Sequence, residues 1–186
     1  MMTYGGGLWR TWFDRDLSLA GKVVVQDGDT LLPKYWSAGR PLIKVPSLAI
    51  HLDRSEEFKP NKETHLKPIL TTGVVNSLFG VDVDKIEDDK FRLNDRHLET
   101  LTSLMATDLG VARDSIIDFE LNVHDSQPSG IVGIHDEFVS SPRLDNLASS
   151  LCSLDALIEH QKLGAEARNH AEIDMIMLFD HEEIGS

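Results

Sequence analysis

The sequence holds a single cysteine, Cys152, among its 186 residues. An intrachain disulfide is therefore excluded and the chain fits a reducing compartment. Cys152 falls within a helical pattern and reads as a small buried residue. Long apolar runs are also missing. No window approaches the ~18 consecutive apolar residues of a membrane-spanning helix, and the Met1-Met2-Thr3 start lacks the basic and hydrophobic parts of a signal segment. A membrane is thus not an expected partner, and the cytoplasm is the expected location. Positive charge is scarce as well: 18 basic residues face 31 acidic ones, a formal charge of −13. Such a surface repels nucleic acid and anionic lipid. There are no repeats or low-complexity tracts, and the composition is ordinary for a globular chain, which argues against disorder. The length accommodates one large or two small domains.

What the sequence does contain is concentrated near its end. Ile173, Met175, Ile176, Met177, Leu178 and Phe179 form an apolar run broken only by Asp174, which reads as a strand buried on both faces. Such a strand delivers Asp180, His181, Glu182 and Glu183 together at its carboxyl end, where ligands bind in open α/β sheets. Three carboxylates and an imidazole in four residues repel one another unless a cation compensates them, so a metal site is the natural hypothesis. The alternative is a solvated acidic turn. Upstream, Ser141-Pro142 supplies a turn, and Leu147, Leu151, Leu154, Leu157 and Ile158 form a helical stripe that Leu163-Gly164-Ala165 ends. Asp145 stands at the mouth of that helix. On the residues alone it reads first as an N-cap and second as a metal ligand held by the same geometry. A helix between two strands makes a βαβ unit of a largely parallel sheet.

The first two thirds are richer in strands. Gly5-Gly6-Gly7 is too short and wrongly spaced to cradle a phosphate, and Trp9, Trp12 and Phe13 read as core or interface anchors. Lys22–Gln26, the turn Asp27-Gly28-Asp29 and Thr30–Leu32 follow hairpin grammar. Residues 41–52, punctuated by Pro41 and Pro46, fit an edge or bulged strand ending at His51, with a polar surface loop beyond. On its own, His51 reads as a structural or exposed histidine, as does His65. Residues 71–92 carry no clear pattern, and Asp82–Lys90 is a solvated charge run. Asn94 or Asp95 predicts the N-cap of an amphipathic helix through Leu98, Leu101, Leu104, Met105 and Leu109, stopped by Gly110. Ile117, Phe119, Leu121 and Val123 alternate with polar residues as a strand with one wet face; His124 and Asp125 read as its surface end. The loop Gln127-Pro128-Ser129-Gly130 is the best candidate domain boundary.

Pro142-Arg143-Leu144-Asp145-Asn146 and Asp180-His181-Glu182-Glu183-Ile184-Gly185 together resemble the two central motifs of the aspartyl aminopeptidase family of dinuclear zinc exopeptidases. The likeness extends through Thr3–Trp9, Thr11–Leu17, Leu48-Ala49-Ile50-His51-Leu52 and Asp136-Glu137-Phe138, and so covers most of the chain. It implies part of a mixed, largely parallel α/β zinc-exopeptidase catalytic domain at 131–186, with a β-rich inserted dimerisation domain at 1–130. It also implies that Asp145 bridges two zinc ions, that Glu183 ligates zinc, that Glu182 is the general base, and that His51 reaches a neighbouring subunit's active site. The implied substrates are peptides with N-terminal Asp or Glu, and the implied assembly is a homo-oligomer built from dimers, up to a dodecamer. Family members also carry a His-Thr-Asp motif before the Tyr-Gly-Gly-Gly block and further aspartate and histidine ligands after the Glu-Glu pair. Neither lies within this sequence, which implies an internal segment of a larger enzyme, inactive alone. The competing reading is a non-catalytic dimerisation or assembly module.

Overall fold

The structure, a computed structural model, describes residues 2–54, 56–80, 97–163 and 173–184. The chain divides into two compact units: Leu8–Ser126 with Met1–Met2, and Gln127–Ser186 with Thr3–Gly7. Mixed helix and antiparallel sheet make up their regular structure.

The first unit is built on a three-stranded sheet in the order β2-β1-β3, with β1 at Leu17–Asp27, β2 at Thr30–Ser37 and β3 at Ile116–Asp125. β1 and β2 form the expected hairpin, extended well beyond the residues that announced it. Asp27 pairs with Thr30 across a two-residue turn, and Gly28 takes a φ of 59° in its first position, where a side chain would be strained. Pro33 lies in β2, which pairs only with β1 among the described residues; an edge strand tolerates the missing N–H. β1 is the most buried strand because both neighbours cover it. Leu17, Leu19, Val23 and Val25 join Trp36, Ile43, Val45, Leu66, Met105, Ala106 and Ile116 in one core, the Val, Leu, Ile and Met side chains each contributing about 1.5–3 kcal/mol when fully buried. The polar Ser18, also buried, is satisfied by donating to the Arg40 carbonyl at 2.7 Å.

The β1–β3 register shifts between Val24 and Val25, where Val24 faces Asp118 but Val25 faces Ile116. This irregularity corrects the simple alternation read from the sequence. It brings Ile116, rather than Ile117, into the core, while Phe119, Leu121 and Val123 pack against it. Residues 43–45 make isolated bridges to Phe13, Leu17 and Ile69 rather than a full strand, consistent with the edge character expected there. Asp14 secures this region: its carboxylate accepts from the Ser47 N–H at 2.9 Å and the Ser47 hydroxyl at 2.5 Å.

Two α-helices among the described residues belong to the same unit. α1, Gly73–Leu78, was not legible in the sequence; Thr72 caps it by accepting from the Val75 N–H. Its buried Asn76 accepts from the Thr71 and Thr100 hydroxyls, joining it to α2, Glu99–Leu109. α2 ends at Gly110 with a φ of 66°, as expected of a C-cap. The predicted N-cap residues Asn94 and Asp95, like Asp82–Lys90, lie outside the described residues. The most buried residues of α2 are Thr102, Met105 and Ala106, with Leu101, Leu104 and Leu109 flanking them. The predicted stripe therefore faces the core, with Met105 deepest, and the buried face extends beyond it to Thr102 and Ala106. Trp36 Nε1 donates to Asp108 at 2.9 Å and ties β2 to this helix.

The second unit contains the short hairpin β4, Gly130–Val132, and β5, Phe138–Ser140, followed by α3, Leu144–Lys162. Two expectations are corrected here. The run Ile173–Phe179 is extended but pairs with no strand among the described residues, and it is exposed, Phe179 to 76%. A strand buried on both faces lies in a sheet covered above and below by other elements, and among the described residues this run is left exposed. The stripe of α3 forms at the expected spacing, yet Leu147, Leu151, Leu154 and Ile158 are exposed and no residue of the helix is buried. Cys152, on the same helix, is exposed as well.

Candidate metal and catalytic site

The acidic cluster forms a tight turn. Asp180 turns back to accept from the His181 N–H at 2.8 Å, His181 takes a φ of 55°, and its carbonyl accepts from the Ile184 N–H at 3.0 Å. Glu182 and Glu183 occupy the two central positions of this turn. Both are exposed.

A distant stretch anchors the turn. The Glu183 N–H donates to the Tyr4 hydroxyl at 2.9 Å, and the Tyr4 ring stands edge-on to the His181 imidazole, centroids 6.0 Å apart. Gly5, at a φ of 63°, lies directly against the Glu183 side chain: a Cβ placed there would sit 2.5 Å from its carboxyl carbon. On the residues alone these glycines stood only as a run too short and wrongly spaced to cradle a phosphate. The signal available was the adjacency of Tyr4 to a glycine run, which does not by itself name a partner 179 positions away.

Asp145 stands at the start of α3 with a φ of −82° and a ψ of 113°, outside helical geometry, and a cis peptide joins it to Asn146. The helix N-cap is Arg143, whose side chain makes no cap hydrogen bond. The non-helical Asp145 marks a kink after which the regular turns begin, which keeps it at the helix mouth, as the residues alone had suggested. It belongs to the same compact unit as Glu182 and Glu183.

His51 belongs to the first unit. It sits in an exposed turn whose Ala49 carbonyl accepts from the Leu52 and Asp53 N–H groups. It lines an open depression of about 400 Å³ with Ile50, Asp53, Arg54 and Glu56. His65 has the structural role expected of it: its Nδ1 accepts from the Asn61 N–H at 3.1 Å. Asp125 pairs with Arg15 at the sheet margin, which agrees with a surface strand end.

Among the described residues no three His, Cys, Asp or Glu side chains converge on one point. Asp145 and Glu183 fit a divalent cation in donor type, since carboxylate oxygens ligate zinc. The bare Gly5 leaves the Glu183 carboxylate room to project. As a set they are two donors, and a closed shell needs more.

Exposed carboxylates on an anchored turn and an aspartate at a helix mouth are the donor types that a metal-dependent hydrolase uses, and the comparisons specify which. The family model for aminopeptidase I zinc metalloproteases, M18, matches residues 1–186. The chain belongs to that family. It is 42% identical to the aspartyl aminopeptidase of Aspergillus oryzae, an alignment covering 99% of this chain and 40% of that protein. Among solved structures it resembles one determined for a complex of Ape4 and Nbr1, with a TM-score of 0.72 and 38% identity over 86% of this chain and 30% of the other. It also resembles the mApe1 dodecamer of S. cerevisiae, with a TM-score of 0.60 and 26% identity over 86% of this chain and 32% of the other. The chain spans about 40% of the length of the curated relatives it matches. Among the described residues no helix is long and apolar enough to cross a membrane.

Proposed function

We propose that this chain forms the central part of a zinc aminopeptidase that removes N-terminal acidic residues from peptides. The observation that carries the reading is the Asp180–Ile184 turn, which holds the adjacent Glu182 and Glu183 at its centre, in a chain 42% identical to an aspartyl aminopeptidase. Zinc, when bound, supplies Lewis-acid polarisation of the scissile carbonyl and makes a water more acidic. Glu183 and Asp145 would hold it, Asp145 as the carboxylate shared between two ions. Glu182, left uncoordinated, would accept a proton from the attacking water, then hand it to the departing amine. His51, supplied from a partner subunit, orients the substrate or stabilises the oxyanion. Residues 1–130 form the β-rich dimerisation domain, and 131–186 contribute to a largely parallel α/β catalytic domain in the cytoplasm. The dodecamer of the S. cerevisiae neighbour supports a homo-oligomer.

With two candidate carboxylates and no third donor converging on them among the described residues, the isolated chain is expected to bind zinc weakly and to lack peptidase activity. That same observation favours the second reading, a non-catalytic assembly module. One experiment separates them. In the full-length protein, Glu182→Gln should leave the zinc content intact while lowering turnover of an N-terminal Asp peptide by about 10²–10⁴-fold. Unchanged turnover removes Glu182 from the chemistry.

A further inference from the structure

The acid turn is exposed on its own segment, and Asp180, Glu182 and Glu183 repel one another there. What reaches it from a remote part of the chain is Tyr4 and Gly5: a hydroxyl accepting the Glu183 N–H at 2.9 Å, and a bare Cα facing the Glu183 side chain where a Cβ would lie 2.5 Å from Cδ and 2.8 Å from Oε2. The ring of Tyr4 meets His181, so that the residue with left-handed backbone is contacted too. We infer that Tyr4 and Gly5 are positioning residues for the Glu182–Glu183 pair. The hydroxyl fixes the peptide from which Glu183 projects, and the missing side chain of Gly5 sets the direction in which its carboxylate points. Because the two glutamates are adjacent, one anchor sets the aim of both. This inference rests on the roles proposed above for Glu182 and Glu183.

The test uses the full-length, zinc-loaded protein and four measurements: kcat, KM, zinc retention against a chromophoric chelator, and amide exchange of the segment containing Glu183. Tyr4→Phe keeps the ring and removes the acceptor. It should lower zinc retention about 10-fold, as loss of a supporting contact around a metal ligand does. It should also lower kcat with KM little changed, and quicken exchange at Glu183. Gly5→Ala should do more, because the added Cβ displaces the carboxylate and the backbone is strained at that φ. Gly6→Ala is the control: a Cβ there meets nothing within 4 Å, and all four readings should match wild type. If Gly5→Ala fails to fold, Tyr4→Phe decides alone. Wild-type kcat and zinc retention in Tyr4→Phe would overturn the positioning role, even if exchange quickens. The underlying reading is probed separately by Glu182→Gln and Glu183→Ala, which leave Tyr4 and Gly5 in place. Full turnover and full zinc in both would remove that reading and this inference with it.

Discussion

Gly21 sits in the middle of β1 at the closest approach between two strands of the main sheet. A Cβ added there would lie 2.0 Å from the Glu120 carbonyl oxygen and 2.9 Å from the Leu121 Cα. These are backbone atoms of β3, so no side chain can swing aside to relieve the overlap. To restore an ordinary contact the strands must separate by roughly 1 Å or more, beyond what a neighbouring N–H···O bond tolerates. Forcing a group into a closed space costs about 1–3 kcal/mol. Losing the two nearest ladder bonds adds about 1 kcal/mol each. The smaller entropy of an unfolded chain with alanine returns about 0.4–1 kcal/mol. Gly21→Ala should therefore destabilise the first unit by about 2–4 kcal/mol, a large part of the 5–15 kcal/mol typical of a domain. Urea denaturation followed by tryptophan emission reports it, since Trp36 is buried in the same core. The midpoint should fall by about 1–2 M with an unchanged slope. A midpoint within experimental scatter of wild type would refute the claim that β1 and β3 meet backbone to backbone at this residue.

The Asp14 carboxyl is held below the usual carboxylate range, first by the Ser47 hydroxyl, then by the Ser47 N–H, with the Lys44 charge adding to both. A lowered carboxylate contributes stability that is complete above about pH 4 and is lost as pH falls through the folded value. Asp14→Asn should thus flatten the acid side of a melting-temperature profile between pH 5 and 2, and parallel profiles for the two proteins would contradict this. In the full-length protein, Asp145→Ala should release both zinc ions as read by elemental analysis; a stoichiometric two-zinc variant would contradict the bridging role. His51→Phe should lower turnover while sedimentation shows the assembly unchanged, and full activity in an intact oligomer would remove His51 from the reaction.

How much of this was legible depended on the range of the interactions. The β1–β2 turn and the Gly110 stop are written in adjacent residues, because positive φ at a turn or helix end is a local demand. The strand character of Ile116–Asp125 was equally plain, but its phase was not. The register shift at Val24/Val25 is set by pairing with a strand far away in the chain, and nothing within β3 announces it. The widening of the buried face of α2 to Thr102 and Ala106 has the same origin, since it depends on the surface opposite. In the second unit, periodicity identified the helix and the extended run. Their burial did not follow, since periodicity states which side wants a neighbour without supplying one. Of the candidate site, the residues themselves were legible from their clustering and their motif likeness. The anchoring of Glu183 by Tyr4 and Gly5 was not, because it joins opposite ends of the sequence.

The position of β1 between β2 and β3 also governs the order in which the first unit can be made. Its hairpin partner follows immediately, but its other partner carries Asp125, 110 positions beyond Arg15, with which it pairs. At about 5–20 residues per second, a nascent β1 waits roughly 5–20 s for β3 to be synthesised. Throughout that interval a two-stranded ribbon, marginal by itself, carries Val23 and Val25 along an open edge. The emerging polypeptide is most vulnerable to mispairing during this delay.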